Sequence, residues 1–267
     1  MELLVGADPE IFLRNAAGFQ SGYNVIPGTK KAPHPVKDGA VQVDGMAVEF
    51  NIDPAGSEKD FLHNVQSVLH TLRQMVPQEY ELDISPVAEF TEEIMAMQPE
   101  EAKRLGCDPD FNAYTAAANP APDQHPTMRT AAGHVHLGWC KDRDVQDHKH
   151  VMSCCELVKQ LDAFLGLPSV ILDPDKKRKQ MYGKAGAFRP KPYGLEYRVM
   201  SNFWVKDEKL MKLVYRNTQE AFEQLVRHGK AVSRGVYENV VQEIINTNDV
   251  RKAKIYCDYW HIPTSVR

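Results

Sequence analysis

The sequence predicts an α+β fold in one compact domain. Short segments typical of strands recur through the first 205 residues, and segments typical of helices lie between them and after them. The regular strand–helix–strand units of a doubly wound α/β fold are few. We therefore predict a single domain over residues 1–267, with a sheet core in residues 1–205 and a helical part in residues 206–262.

The first elements are predicted to be strands. Residues 2–6 and 10–13 predict a strand that Pro9 interrupts, and residues 19–26 predict a second strand after a turn, which together indicate a hairpin. Residues 27–40 follow with three prolines, two glycines and three lysines, too broken for a regular element and too basic to be buried. We interpret them as a mobile surface loop and a candidate lid.

A second hairpin and a helix are predicted next. Residues 41–52 alternate apolar with polar side chains around Asp44-Gly45, a strong hairpin signal that places Glu49 on the face away from the core. Ser57 begins a helix with a capping-box spacing, and the helix ends before Pro77. Its apolar stripe is predicted to be Phe61, Val65, Val68, Leu69 and Leu72.

The remaining elements are predicted from periodicity and from loop composition. They are a strand in 79–84, a Met-rich helical stretch, a strand in 128–139, a helix in 144–165, a loop leading into a strand in 183–204, and two or three helices in 207–246. The Pro- and Ala-rich loop of residues 108–126 is long for a compact domain, and such loops are often functional.

Composition excludes several classes of partner. The formal net charge of −4 is small, so we expect neither a nucleic acid nor a membrane surface as the main partner. No apolar run approaches the roughly 20 residues that span a bilayer. The five cysteines have no CxxC spacing and the first residues have no signal-peptide architecture, so we expect a reducing cytosol.

Ionisable side chains recur at alternating positions in four predicted strand segments. They are the pairs Asp8 and Glu10, His134 and His136, and Glu196 and Arg198, together with Glu49 in the segment 48–51. Successive strand side chains point to opposite faces, so the members of each pair share a face. Neighbouring carboxylates repel unless a cation lies between them, and Mg²⁺ or Mn²⁺ prefers carboxylate oxygen. The pattern predicts a polyvalent metal and phosphate site.

Each of these motifs also has a simpler interpretation when it is taken alone. A carboxylate pair is typical of a solvated strand face, a His-x-His pair of a structural contact, and a Glu-x-Arg pair of a cross-strand ion pair. The basic run of residues 173–190 is typical of a solvated surface. The ordered combination of motifs is more specific than any one of them, and no Walker-type phosphate loop is present.

The same segments resemble a known family. Asp-Pro-Glu-Ile-Phe-Leu at 8–13, Gly-His-Val-His-Leu at 133–137 and Glu-Tyr-Arg at 196–198 occur in the order of the metal-bearing strands of glutamine synthetases and γ-glutamylcysteine synthetases. More narrowly, residues 107–112, 134–139 and 194–204 resemble the phage-encoded COOH.NH2 ligases of type 2. The resemblance covers most of residues 1–205.

The resemblance implies a fold, an activity and a location. The fold is a curved, mainly antiparallel sheet with helices packed on its outer face, as in the glutamine synthetase catalytic domain, and the active site lies on the concave face. The activity is that of an ATP- and Mg²⁺-dependent (or Mn²⁺-dependent) carboxylate-amine ligase that forms an amide through an acyl phosphate. A phage-encoded enzyme would work in the cytoplasm of the host cell, on small-molecule or peptide carboxylates and amines.

The resemblance also implies roles for individual residues. The metal ligands are expected to be Asp8, Glu10, Asp44, Glu49, His134 and Glu196. The catalytic residues are expected to be Arg198, Arg189 and His136, the last as a substrate or phosphate contact. The ATP contacts are expected to be Arg178, Lys184, Arg189 and Arg198, because an arginine fork can donate two hydrogen bonds to one phosphate.

Several alternatives stay open at this stage. Asp44 also fits a plain turn residue in its Asp-Gly context, and Asp8 stands where the large synthetases carry the longer glutamate. A His-x-His pair with scattered carboxylates also suits a metal-dependent hydrolase, which would act without ATP. A third alternative is a catalytically inactive phage binding or structural protein on the same scaffold. Cell-wall peptides, proteins, amino acids and modified nucleobases remain candidate substrates, and the oligomeric state is undetermined.

Overall fold

The computed structural model describes residues 2–103, 110–120 and 125–266 of the chain. Cys107, Asp108 and Pro109 of the predicted motif, and part of the predicted loop 108–126, lie outside the described residues. The fold is α+β, with a large and mainly antiparallel sheet and several helices, as predicted.

Within the described residues, eleven strands form the main sheet and two form a small separate sheet. The strands are β1 (Leu4–Asn15), β2 (Gly18–Gln20), β3 (His34–Val36), β4 (Gly39–Asp44), β5 (Ala47–Ile52), β6 (Glu81–Asp83), β7 (Val87–Glu89), β8 (Phe111–Asn112), β9 (Ala117–Ala118), β10 (Met128–Thr130), β11 (Gly133–Gly138), β12 (Ala187–Lys191) and β13 (Gly194–Tyr197). The main sheet has the order β3-β4-β5-β1-β11-β13-β12-β8-β9, β2 and β6 also pair with β1, and β7 pairs with β10.

The helices follow in sequence between and after the strands. They are α1 (Glu58–Met75), α2 (Glu92–Ala96), α3 (Glu100–Lys103), α4 (His148–Leu161), α5 (Leu167–Leu172), α6 (Arg178–Met181), α7 (Glu208–His228), α8 (Val236–Thr247) and α9 (Val250–Tyr259). A π-helical turn, Asp162–Gly166, joins α4 to α5, and a 3₁₀ turn, Asn202–Lys206, precedes α7. Among the described helices, none combines the length and apolar character needed to cross a membrane.

The first long helix forms as its sequence predicts. The Ser57 side chain caps α1 by accepting a hydrogen bond from the backbone N–H of Asp60 at 3.1 Å. The predicted stripe is buried except for Leu69, which is only partly buried against the core. The ring of Phe61 stacks on Trp204 at a centroid distance of 6.0 Å, which ties the helix to the 3₁₀ turn.

The core covers one face of the main sheet. Along β1, alternate side chains such as Val5, Ala7 and Ile11 are buried in one apolar cluster that also includes residues of α1, α4 and α7. The intervening side chains of β1, which include Asp8 and Glu10, therefore point to the opposite face. The helices thus leave one face of the sheet available for polar groups.

Several predicted boundaries were wrong. Pro9 does not interrupt β1, which continues through it. The pairing of β1 with β11 ends at Pro9, opposite Gly133, and the pairing of β1 with β5 begins at the next residue, Glu10. Residues 19–26 contain only the end of β2, and residues 27–40 contain β3, which pairs with β4.

The later boundaries differ in a similar way. Residues 128–139 divide into β10 and β11, which belong to two different sheets, and residues 144–165 contain α4 and most of the π-helical turn. Residues 183–204 contain the hairpin of β12 and β13 rather than a loop and one strand. The two or three helices predicted in residues 207–246 are α7 and α8, and α9 follows them inside the predicted helical part of residues 206–262.

Candidate active site

One face of the sheet gathers the ionisable side chains. Directly opposed residues of antiparallel strands carry their side chains on the same face. The register opposes Asp8 with His134, Glu10 with Glu49, and His136 with Glu196. Alternating residues share a face as well, so these side chains form one continuous surface across β5, β1, β11 and β13. The predicted alternation is confirmed.

Two groups of side chains on this surface have the spacing of metal ligands. The His136 cluster consists of Asp8, His136 and Glu196, and the Asp44 cluster consists of Glu10, Asp44 and Glu49. In each cluster one ligand atom from every residue lies within 4.8 Å of the others. Carboxylate oxygens with an imidazole nitrogen suit several divalent ions, and a set of three carboxylates suits Mg²⁺ or Mn²⁺.

Both histidines of β11 contact the carboxylates of the His136 cluster. His136 Nε2 lies 3.1 Å from Asp8 Oδ1, and His134 Nδ1 lies 3.3 Å from the same oxygen and 3.4 Å from Glu196 Oε1. The other nitrogen of the His136 ring, Nδ1, lies 2.5 Å from the Tyr193 hydroxyl. The geometry therefore places either imidazole within reach of an ion held by Asp8 and Glu196.

The Asp44 cluster is held by polar neighbours. The Gln42 side chain donates a hydrogen bond to Glu49 Oε2 at 2.8 Å, and the backbone N–H of Ala132 donates to Glu10 Oε2 at 2.8 Å. Lys30 Nζ lies 2.6 Å from Asp44 Oδ2. Asp44 is thus more than a turn residue, because its carboxylate joins two others and attracts a cation.

Three cations surround the buried carboxylate of Glu196. Lys191 Nζ lies 2.8 Å from Glu196 Oε2, Arg189 Nη1 lies 3.3 Å from the same oxygen, and Arg198 contacts Oε1. Arg198 Nε also lies 3.5 Å from Asp110 Oδ2. Three cations therefore converge on this side of the cavity.

Electrostatics distinguishes the two clusters. In the His136 cluster, burial acts to raise the Asp8 pKa, but the charge of His136 and the contacts with His134 outweigh it and hold that pKa well below its usual value. In the Asp44 cluster, burial and then the Asp44 charge raise the Glu10 pKa to about 8 and also raise the Glu49 pKa. Glu10 and Glu49 therefore favour their protonated forms beside Asp44, and a divalent cation would favour the ionised forms that act as ligands.

The His134 ring is electrically neutral near pH 7. Burial, followed by the charge of Arg198, lowers its pKa to about 4. A neutral imidazole has a nitrogen lone pair free for a metal ion, whereas a protonated ring has none. The chemical state of His134 thus agrees with its predicted role as a ligand, which stays a prediction.

A cavity of about 300 Å³ connects these groups. Of the predicted residues, those that line it are Asp8, Glu10, Asp44, Glu49, His134, Arg178, Arg189, Glu196 and Arg198. His136 lies beside the cavity and reaches it through Asp8. Lys184 is exposed and does not line the cavity, so the structure does not place this predicted ATP contact at the site.

Other residues of the site were missed from the sequence. Lys191 follows Arg189 by two positions on β12, so the two side chains lie on the same face of the sheet. Strand alternation could therefore have predicted Lys191 from the sequence. Asp110 belongs to the segment 107–112, for which the resemblance gave no role, and it contacts Arg198. Lys30 lies in the predicted surface loop, where no sequence pattern marks its approach to Asp44.

Part of the chain matches a family of known proteins. Residues 124–250 match the family described as phage phiEco32-like COOH.NH2 ligase-type 2. The predicted resemblance to these carboxylate-amine ligases is confirmed. Curated protein sequences give no significant match. Among solved structures, a bifunctional glutathione synthetase from Pasteurella multocida is similar with a TM-score of 0.42 and 10% identity over 98% of this chain. The chain spans half of that enzyme's chain.

The match to the ligase family covers one side of the site. Residues 124–250 include β11, β12 and β13, which carry His134, Arg189 and Glu196. Asp8, Glu10, Asp44 and Glu49 precede the matched residues. The pairing of β1 with β11 and the hydrogen bond from Ala132 to Glu10 bring the two parts together. The sheet therefore assembles the site from both parts of the chain.

A buried carboxylate behind the site holds the surrounding segments together. Asp162 accepts hydrogen bonds from the hydroxyls of Tyr114 at 2.9 Å and Tyr197 at 2.7 Å, and from the backbone N–H of Gly186 at 2.7 Å. Burial raises its pKa to about 6, although these three donors act in the opposite direction. Asp162 thus connects β13, which carries Glu196, to the segments before β12 and after β8.

Proposed function

We propose that the chain is an ATP- and Mg²⁺-dependent carboxylate-amine ligase that forms an amide bond through an acyl phosphate. The observation that supports it best is the meeting of two ligand clusters and a group of arginines in one cavity on one sheet face. Phosphoryl transfer depends on this combination, since metal ions and arginines together stabilise charge on the transferred group. The match to carboxylate-amine ligases supports the same reaction class.

The residues present fit divalent ions. Asp8 Oδ1 and His136 Nε2 are buried 3.1 Å apart, and His134 Nδ1 also approaches the Asp8 oxygen. Within the described residues neither Asp8 Oδ1 nor His136 Nε2 forms a hydrogen bond of good geometry beyond these ion-pair contacts, so a metal ion could take both atoms as ligands. The Asp44 cluster and the His136 cluster, with His134, would hold the ions. Bound Mg²⁺ would neutralise phosphate oxygens and orient them. The glutamine synthetase-like arrangement of the sheet belongs to this proposal too.

The arginines and Lys191 would bind the phosphates and the charge that develops during transfer. Arg178 is buried and holds its position by donating to the backbone carbonyl of Val199 at 2.9 Å. The Glu196 carboxylate is contacted by Arg189, Lys191 and Arg198. A bound phosphate could replace some of these contacts, and each of the three cations would still have a partner of opposite charge.

The proposed reaction has two steps. A substrate carboxylate oxygen attacks the γ-phosphorus of ATP, which forms the acyl phosphate and releases ADP. The amine substrate, after losing a proton, then attacks the acyl carbon and displaces phosphate. The cavity would contribute by binding both reactants beside each other and by excluding bulk water, which would otherwise hydrolyse the acyl phosphate.

The test is calorimetric titration with a non-hydrolysable ATP analogue, with and without Mg²⁺. We expect binding that depends on Mg²⁺ and that Glu196→Gln and His134→Ala each weaken strongly, with Glu79→Gln, an exposed carboxylate away from the site, as the matched control. Circular dichroism and thermal unfolding should show that each variant is folded.

The outcomes separate the alternatives. Binding that needs Mg²⁺ and both site residues would justify a screen of carboxylates and amines for ADP release. A wild-type protein that binds no nucleotide would refute the ligase proposal, and hydrolysis without ATP would then favour the metal-dependent hydrolase. Nucleotide binding with no turnover of any substrate pair would favour an inactive scaffold.

A further inference from the structure

A buried arginine that lines the cavity has no carboxylate partner among the described residues. The Arg129 side chain lies on β10, only 6% exposed, and it lines the cavity. Among the described residues it forms no ion pair with a carboxylate, and its Nε is buried without a hydrogen bond. Burial is the main cause that lowers its pKa. A desolvated, uncompensated charge of this kind is costly, and such charges are normally paired.

Backbone carbonyls hold the guanidinium in place. Nη1 donates to the carbonyls of His125 at 2.9 Å and Met128 at 2.8 Å, and Nη2 donates to the carbonyl of Lys103 at 2.8 Å. A guanidinium has five N–H donors, so Nε–H and one Nη2–H remain unused. Adjacent donors on Nε and Nη2 form the fork that binds a carboxylate through two hydrogen bonds.

Part of the cavity lining is apolar. The cavity lining also contains Phe12, Met46, Ala47 and Ala102, which belong to a second apolar cluster. Ala102 directly precedes Lys103, whose carbonyl accepts a hydrogen bond from Arg129. Phe12 follows Glu10 by two residues on the same face of β1, so this apolar lining begins about 6–7 Å beyond Glu10 along the strand. An anion there would be separated from the metal ligands by a short apolar stretch.

A second unsatisfied donor faces the same region. The Tyr182 hydroxyl is buried, has no hydrogen bond within the described residues, and lines the cavity. It lies close enough to Arg129 to interact with its charge. Burial, then the charge of Glu10, raises the Tyr182 pKa to about 12, so the phenol keeps its proton and can donate it to an oxyanion.

We propose that Arg129 and Tyr182 bind a carboxylate of one of the two substrates, distinct from the carboxylate that becomes activated. This inference rests on the proposed ligase function. The group could be carried by the acid substrate or by the amine substrate, and in both cases the chemistry is the same. The apolar lining would accommodate the short carbon chain that connects this carboxylate to the reacting group.

The experiment compares pairs of probes that differ by one carboxylate. Glutarate and butyrate represent the acid substrate, and β-alanine and propylamine represent the amine substrate. Each is titrated calorimetrically into the wild-type protein, alone and with Mg²⁺ and the ATP analogue, and into Arg129→Gln, Arg129→Lys and Tyr182→Phe. Arg216→Gln, which removes an exposed arginine paired with Glu58, is the matched control.

We expect the carboxylate-bearing member of at least one pair to bind about tenfold or more tightly than its partner, since a site built to hydrogen-bond a group rejects the analogue that lacks it. Arg129→Gln should remove this preference, Tyr182→Phe should reduce it while preserving the guanidinium contacts, and Arg216→Gln should leave it unchanged. The pair that shows the preference identifies which substrate carries the carboxylate.

Two results would overturn the inference: no preference in the wild-type protein for either pair, or a preference that survives in both Arg129→Gln and Tyr182→Phe. Nucleotide binding distinguishes this failure from failure of the proposed function. If the preference is absent but Mg²⁺-dependent nucleotide binding persists, only the carboxylate site is wrong. If the preference is present without nucleotide binding, the anion site stands and the ligase proposal fails. Tyr182→Phe removes a single oxygen, so it tests the site even if Arg129→Gln does not fold.

Discussion

Replacing Lys30 with methionine should strengthen the binding of a divalent ion to the Asp44 cluster. Lys30 Nζ lies 2.6 Å from Asp44 Oδ2, with 45% of the lysine side chain exposed. Burial acts to lower its pKa, but the charges of Asp44, Glu10 and Glu49 outweigh it and raise that pKa. The ammonium therefore neutralises the carboxylates that an incoming ion would need, and it must move before the ion binds.

The expected gain in metal affinity follows from the contact between Lys30 and Asp44. Two unit charges 2.6 Å apart interact by about 6 kcal/mol at an effective dielectric constant of about 20, an upper bound. The lysine is nearly half exposed, and pairs of that kind contribute roughly 0.2–1 kcal/mol in practice. Removing the competitor should therefore tighten Mn²⁺ binding by up to about fivefold at low ionic strength. Added salt should shrink the gain, because it screens the lysine charge.

The assay is titration of the nucleotide-free protein with Mn²⁺, with free ion measured by electron paramagnetic resonance. Lys31→Met, a change to the exposed neighbouring lysine, serves as the matched control and should alter the affinity little. Asp44→Asn should weaken binding, because it removes one ligand charge. The reasoning is refuted if Lys30→Met binds Mn²⁺ no more tightly than Lys31→Met does.

Three further substitutions test the packing around the site. Gly133→Ala should cost about 1–3 kcal/mol through overpacking, because a Cβ there would lie 2.5 Å from Trp204 Nε1 and closer still to the Ser201 carbonyl; urea unfolding measures it, and an unchanged midpoint would contradict it. Phe61→Ala should cost about 3–5 kcal/mol, measured in the same way, because the ring is fully buried against Trp204; a loss below about 1 kcal/mol would show that the stacking is unimportant. Asp162 has a folded-state pKa raised to about 6 from 3.8, so its contribution to stability is complete below about pH 4 and is lost as the pH rises towards 6, a change of roughly 3 kcal/mol. Asp162→Asn cannot ionise, and its deficit in unfolding free energy relative to wild type should be smaller at about pH 7 than at about pH 4; an equal deficit at both would disprove the raised pKa.

Much of the site could be predicted because strand alternation is a local property. Asp8 and Glu10 share a face whatever strand lies beside them, and the same holds for His134 with His136 and for Glu196 with its neighbour Arg198. The helix that begins after Ser57 was predicted for a similar reason, since its cap and its apolar stripe depend only on nearby residues. Such patterns survive in almost any tertiary context.

The errors have a common origin in pairing between distant segments. Pro9 lies inside a continuous strand because β1 changes partner there, and residues 128–139 form two strands because β10 joins a different sheet from β11. Lys184 carries a suitable charge in a suitable region, yet its side chain is exposed. Arg129 has no sequence signal, since it is notable only for its burial with no carboxylate partner in the part of the chain that the structure describes.

By itself, the sequence determined the α+β class, the strand faces that carry the carboxylates and histidines, and the resemblance to carboxylate-amine ligases. Only the tertiary structure decided that Asp8 meets His136 and Glu196, that Asp44 joins Glu10 and Glu49, and that a cavity reaches from these clusters to Arg129. The physical reason is that side-chain direction follows from the local backbone, whereas the distance between two charges depends on which strands pair and in which register.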